Sequence, residues 1–244
     1  MSKRFTYWNS LSSVPSFVND YSLLFDGVND YVDCGSIATL QSTSQYSLSV
    51  WIKTSDRTKR QGILKWYNGT GQWIEMSMST TEFLFIPSGV SGYGKTPSSG
   101  VSNGVWNHVV MVFDGSATGN SNRLKAYLNG AALSLSFTGS IPTTTTAMTG
   151  GSFKIGERFV GQDYFLGNID EPAVFDYALT QTNVTDIYNS GAPTDLNSLT
   201  TAPAHWYRNG DDDTDPTISD VGSAASNDGT MVNMDAADIV TDVP

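Results

Sequence analysis

Cysteine is almost missing from this chain of 244 residues, with Cys34 standing alone. An internal disulfide is therefore excluded, and the fold must rest on packing, with or without a metal. Basic residues are scarce too: 13 Lys and Arg stand against 24 Asp and Glu, for a formal net charge of −11. Beyond the N-terminus only Lys59 and Arg60 are adjacent. Binding a nucleic-acid duplex requires clustered cations that displace counterions from phosphate, so no nucleic-acid partner is expected. Anionic membrane surfaces are disfavoured for the same reason. No apolar run approaches the roughly 18 residues of a membrane span, and no apolar stretch follows Lys3 and Arg4 to make a signal peptide. The expectation is synthesis in a cytoplasm without a signal peptide and no membrane insertion.

What the chain does have is Ser, Thr, Gly and aromatic side chains, the last at 11%. That composition favours strands and turns. Alternation with a period of two dominates. Tyr46, Leu48, Val50 and Ile52 share one face of a strand, and Ser47, Ser49 and Lys53 the other. Asn129-Gly130 separates two alternating runs, and both positions of such a tight turn require positive φ. Further strands are expected at Ser22–Phe25, Tyr31–Cys34, Gly62–Tyr67, Glu82–Ile86, Ser152–Ile155, Phe165–Ile169 and Pro172–Phe175. One helix is expected after Thr180, with Val184, Ile187 and Tyr188 on one stripe and Gly191 at its end. Many short strands and one helix predict an all-β, two-sheet antiparallel jelly-roll sandwich.

The charge divides the chain. Residues 209–244 hold nine Asp and no Lys or Arg. We read an N-terminal arm at 1–20, the jelly roll at 21–194 and an acidic C-terminal extension at 195–244. The extension still contains strand-like pieces at His205–Arg208, Thr217–Asp220 and Gly229–Asn233, so it is expected to dock on the sandwich or on a partner.

Several segments resemble laminin-G-like, concanavalin A-like jelly rolls. Leu24-Phe25-Asp26-Gly27-Val28-Asn29-Asp30-Tyr31-Val32 resembles their opening strand, and Val105 to Val110 with Phe113-Asp114-Gly115 a central one. The stretch from Phe165 through Asp170-Glu171 to Ala178-Leu179-Thr180 resembles the closing strands and helix entry. Trp206-Tyr207-Arg208-Asn209-Gly210-Asp211 and Asn227-Asp228-Gly229 resemble segments that usually open such domains; here they come last, an order similar to that of phage virion proteins. The resemblance implies a non-enzymatic virion subunit, such as a capsid decoration or fibre protein. Such a subunit would be located in the virion, form a homo-oligomer and contact other virion proteins. Two alternatives stand beside it: a calcium-assisted carbohydrate-binding module, and a glycoside hydrolase of laminarinase-like fold.

The candidate chemistry is sparse. A glycosidase needs two carboxylates about 5 to 9 Å apart across the scissile bond. With only four Glu, the one adjacent pair is Asp170-Glu171, whose side chains point to opposite faces of a strand. Cys34, His108 and His205 belong to no nucleophile motif, so no catalytic residue is assigned. Calcium favours oxygen ligands in loops; Asp26, Asn29 and Asp30 cluster at a turn, and the family resemblance adds Asp170 as the late-segment ligand. The plainer alternative is that these residues cap turns. The tail run Asp211-Asp212-Asp213 with Asp215 is a second cation candidate, or a solvated loop. For sugar binding, Trp66, Tyr67, Trp73 and Tyr93 lie near loops where they can stack on rings, whereas Trp51 and Trp106 are expected inside the sandwich.

Overall fold

Alternating apolar residues form strands because one face of each can be buried while the other stays wet. The computed structural model describes residues 17–69, 71–79, 81–89, 91–147, 150–159, 161–224 and 226–244. Most of the expected N-terminal arm, residues 1–16, therefore lies outside the described residues. The first strands are β1 (Ser22–Asp26), β2 (Tyr31–Asp33), β3 (Gln45–Thr54), β4 (Gln61–Tyr67), β5 (Trp73–Met78), β6 (Phe83–Ile86), β7 (Gly92–Lys95) and β8 (Asn107–Asp114). After helix α1 (Asn120–Arg123) come β9 (Leu124–Leu128), β10 (Ala131–Ala132), β11 (Ser136–Gly139), β12 (Ser152–Ile155) and β13 (Leu166–Phe175). Helix α2 (Gln181–Tyr188) follows, then β14 (His205–Trp206), β15 (Thr217–Ile218), β16 (Gly229–Val232) and β17 (Ile239–Val240).

These strands form two antiparallel sheets. One runs β10-β9-β8-β3-β13-β1-β17, with β14 also paired to β13; the other runs β11-β7-β6-β5-β4-β12-β2-β16-β15. The all-β jelly roll read from the sequence is the observed fold. Between the sheets lie Tyr46, Leu48, Val50 and Ile52 of one layer and Leu64, Trp66, Ile74 and Met76 of the other, all essentially inaccessible. No helix among the described residues is long and apolar enough to cross a membrane.

Several details differ from the sequence reading for identifiable reasons. The segments Phe165–Ile169 and Pro172–Phe175 are one strand, β13, with a register shift between Asp170 and Ala173. Glu171 sits there at φ 52°, a bulge that periodicity alone does not reveal. Asn129-Gly130 makes the expected turn, at φ 50° and 78°, but its second arm is short: β10 pairs with β9, and β11 crosses to β7 in the other sheet. Thr180 caps α2 through a reciprocal pair with Asn183, yet the helix ends at left-handed Asn189 rather than Gly191.

The acidic extension is built into both layers. β14 pairs with β13, β17 with β1, and β16 with β2. Tyr207, Ile218 and Met231 join the central core. The start of the extension, residues 195–203, packs Leu196 and Leu199 against α2 and its neighbours.

Candidate functional site

The two outer faces of the sandwich are finished differently. On the sheet containing β3, Val110, Val112, Ala173 and Phe175 are covered by Val184 and Ile187 of α2 and by Leu179 and Leu196. On the opposite sheet no such apolar cluster forms among the described residues. Strand parity fixes what that face presents. Leu64 and Trp66 point to the core, so Lys65 and Tyr67 point outward. Register then aligns outward neighbours: Glu75 beside Lys65, Trp73 beside Tyr67, Lys154 on the other side of Lys65, and Asp33 beside Lys154.

This face carries a cavity of about 280 Å³ lined by Lys65, Tyr67, Ser152, Lys154, Glu157 and Arg158; a larger one, of about 460 Å³, lies elsewhere, at Phe17, Trp206 and Arg208. The smaller one combines an aromatic wall with donors and acceptors. Lys65 is only 3% exposed. Its Nζ lies 3.7 Å from Glu75 Oε2 and 3.4 Å from the centre of the Phe159 ring, and it has no hydrogen-bond acceptor. Burial pushes its pKa down to about 8, against the pull of Glu75. Arg158 Nε donates to Glu75 Oε1 at 2.6 Å, Ser77 Oγ donates to the same oxygen at 2.6 Å, and Arg158 also holds Asp163 at 3.0 Å. Lys154 pairs with Glu157 and sits 4.1 Å from the Tyr31 ring centre.

Gly62 is what lets this site exist. A Cβ there would come within 2.3 Å of the Arg158 backbone nitrogen, because the loop carrying Glu157 and Arg158 lies directly on β4. Gly62→Ala is expected to cost about 1–3 kcal/mol by overpacking. It should lower the melting midpoint by several degrees; an unchanged midpoint would show that the loop can move aside freely.

With this arrangement of sheets and cavity in place, comparison with known proteins is informative. The family described as the concanavalin A-like lectin/glucanases superfamily matches residues 26–185. The chain belongs to this superfamily. Comparison with curated protein sequences returns no match. Among solved structures, a "putative carbohydrate binding protein" from Bacteroides ovatus is similar at TM-score 0.63 and 15% identity, over 91% of this chain and 61% of that one. This chain thus spans about three-fifths of that protein's length. The heptameric SAP-like pentraxin of Limulus polyphemus is similar at TM-score 0.50 and 15% identity, covering 87% and 95%. The CBM40 of the Ruminococcus gnavus IT-sialidase, bound to α2,3-sialyllactose, is similar at TM-score 0.50 and 14% identity, covering 68% and 97%. At these identities the likeness is one of fold.

In this lectin-like jelly roll the four sugar-site candidates separate. Trp66 is fully buried in the core, where no ligand reaches its ring, so it is not a platform. Tyr67 and Trp73 are partly exposed neighbours on the outer face. Tyr93 shares that face but lies three strands from Lys65, roughly 14 Å away.

The calcium candidates do not converge. Asp26 Oδ1 accepts from the backbone N–H of Val28 and Asn29, and Asp30 Oδ2 accepts from that of Asp26, which is turn chemistry. Burial raises Asp30 to about 6. Asp170 lies beside Ser22, four residues along the β1–β13 ladder from Asp26 and thus about 13 Å away. It accepts instead from Asn19 Nδ2 at 2.9 Å. No three His, Cys, Asp or Glu among the described residues form a metal-holding group. These four residues therefore do not fit one ion. In the tail run, Asp211 accepts from the backbone of Asp20, 191 residues away, and from Arg208, while Asp213 accepts from nearby Gly210 and Ser219, so one ties the chain's two ends together and the other serves a turn.

The other reactive groups are sequestered. Glu171 is held by Trp206 Nε1 and Arg208, away from Asp170's partners. Cys34 is buried, and burial pushes its thiol up. His108 Nε2 lies 2.7 Å from Ser49 Oγ, but both are buried, and burial lowers the imidazole to about 3. Trp51 is buried, though under Tyr188 on the outer face, and Trp106 is partly exposed with Nε1 donating to Asp242. The sequence reading missed Lys65, Glu75, Lys154, Glu157, Arg158 and Phe159. Their only early signal is that two of the chain's four Glu lie among them.

Proposed function

We propose that this chain is a carbohydrate-binding module that holds its glycan on the outer face of the sheet containing β4, at Tyr67 and the adjoining cavity. One observation carries the reading: a partly exposed tyrosine borders a cavity whose other walls are Lys65, Ser152, Lys154, Glu157 and Arg158. Sugar rings need that combination, an apolar ring face for their C–H groups and charged or hydroxyl partners for their hydroxyls. Fold neighbours described as carbohydrate-binding lend further support.

The virion reading has less behind it. It rested on the late place of the tail segments in the chain, and the tail strands pair with the chain's own sheets. Glycoside cleavage has little support either, because Asp170 and Glu171 are buried among separate partners.

A glycan array probed with the purified protein tests the proposal. Binding to at least one glycan class is expected, and Tyr67→Ala should weaken it roughly 30-fold, the loss of a stacking anchor of about 2 kcal/mol. No binding anywhere on a broad array would refute the reading.

A further inference from the structure

A further cavity, of about 340 Å³, opens where three connections meet at one end of the sandwich. The β1–β2 turn supplies Val28, the β3–β4 turn Lys59 and Arg60, and the β12–β13 loop Asp163 and Tyr164. It adjoins the cavity at Tyr67. Arg158 lines the first and Asp163 the second, and the two side chains are joined by an ion pair at 3.0 Å. Burial and the nearby Glu157 charge raise the Tyr164 phenol, so its hydroxyl stands close to a wall of the first cavity. Tyr31 lies between them, its ring centre 4.1 Å from Lys154 Nζ and 6.4 Å from that of Tyr164, with the two rings stacked at 27°.

Tyr67, Tyr31 and Tyr164 are all partly exposed. Tyr67 faces Ser152, whereas Tyr31 lies one strand beyond β12 and four residues further along it, roughly 16 Å away by strand geometry. Such a track is longer than a single sugar ring.

Its far end is chemically distinct. Lys59 and Arg60, the adjacent basic pair of an acidic chain, are exposed, and neither side chain forms an ion pair or hydrogen bond with a described residue. The carboxylates around them have donors of their own. Asp26, Asp30 and Asp238 accept from backbone amides, and Asp56 accepts from Thr58. Asp163 lines the cavity but is held by Arg158. Val28, 69% exposed, adds an apolar edge. Two accessible cations beside a tyrosine ring suit a sugar unit that carries a negative charge.

We propose, resting on the carbohydrate-binding reading, that the ligand is an oligosaccharide laid from Tyr67 past Tyr31 to Tyr164, and that Lys59 and Arg60 bind an anionic substituent, a carboxylate or a sulfate ester, on the unit at Tyr164. The Arg60 guanidinium offers two parallel N–H groups that match either anion, and Lys59 adds a point charge. The site thus selects acidic oligosaccharides over neutral ones of the same length.

The test measures binding of the intact protein to oligosaccharides of equal length in neutral, uronic-acid and sulfated forms. At 50 mM NaCl an acidic form should bind at least tenfold tighter than its neutral counterpart. That ratio should fall at least threefold at 500 mM, because salt screens accessible charges. Whichever anion carries the advantage identifies the group. The double substitution Lys59→Gln with Arg60→Gln, confined to exposed side chains, should bring the ratio within twofold of one. Equal binding of acidic and neutral forms, or a preference that survives the double substitution, overturns this inference while leaving the carbohydrate-binding reading intact. Failure to bind any glycan removes both.

Discussion

Deleting residues 205–244 leaves a chain without a cooperative unfolding transition. The acidic composition of this segment suggests an appendage, but its apolar residues are structural. Trp206, Tyr207, Ile218 and Met231 are all at most 4% exposed. Burying each contributes about 1.5–3 kcal/mol, which together is on the order of 10 kcal/mol. A whole domain retains only about 5–15 kcal/mol of net stability. Removal also strips hydrogen bonds from β1, β2 and β13, and unpaired edges of that kind favour aggregation. His205, held between Thr39 Oγ1 and Asp220, is lost as well. Near-ultraviolet circular dichroism with thermal melting checks this. A sharp transition in the truncated chain would show that the sandwich folds without residues 205–244.

Stability should fall as pH rises from about 5 to 8. Burial lifts the Glu171 carboxyl to about 8, with Arg208 opposing. Burial likewise raises Asp30 to about 6 and holds Asp170 well above its ordinary range. An acid whose folded pKa exceeds its unfolded one binds more protons when folded. Its contribution is therefore complete below the unfolded value, near 4.5 for Glu171, and is lost as pH climbs through the folded value. Each fully coupled group contributes a slope of about 1.4 kcal/mol per pH unit within its window. Asp220 works the other way: burial would raise it, but its bonds with His205, Trp206 and Gly222 hold it low, so its contribution disappears only in acid. Denaturant midpoints across pH 4 to 8.5 should peak near pH 5, and Glu171→Gln should flatten the decline. A profile that rises steadily to pH 8 would contradict the assignment.

Much of the fold was legible because its signals are local. The alternation from Tyr46 to Ile52 and the Asn129-Gly130 turn need only a few neighbouring residues to be read, and so does the Thr180 cap. The site was legible only in part. Tyr67 and Trp73 were recognisable as aromatic, but in β4 both Ile63 and Leu64 are buried, because the register shifts between Gly62 and Leu64. That bulge hides the parity that would have placed Trp66 inside and Tyr67 outside. Lys65, Glu75 and Arg158 meet through pairings between β4, β5 and a loop more than 80 residues further on, with Arg158 Nε on Glu75 at a separation of 83. Nothing in one strand's sequence announces such a meeting. The tail's strand-like pieces were visible too, but the partner of Gly229–Asn233, β2, lies some 200 residues upstream, and β17, which pairs with β1, carried no strand signal of its own.

That long separation sets an order of events during synthesis. β1 and β2 leave the ribosome some 200 residues before the strands that cover their free edges. Closure across nearly the whole chain is entropically slow. The nascent protein must therefore carry two open β-edges until β16 and β17 emerge, the interval in which chaperone capture or misassembly between chains is favoured.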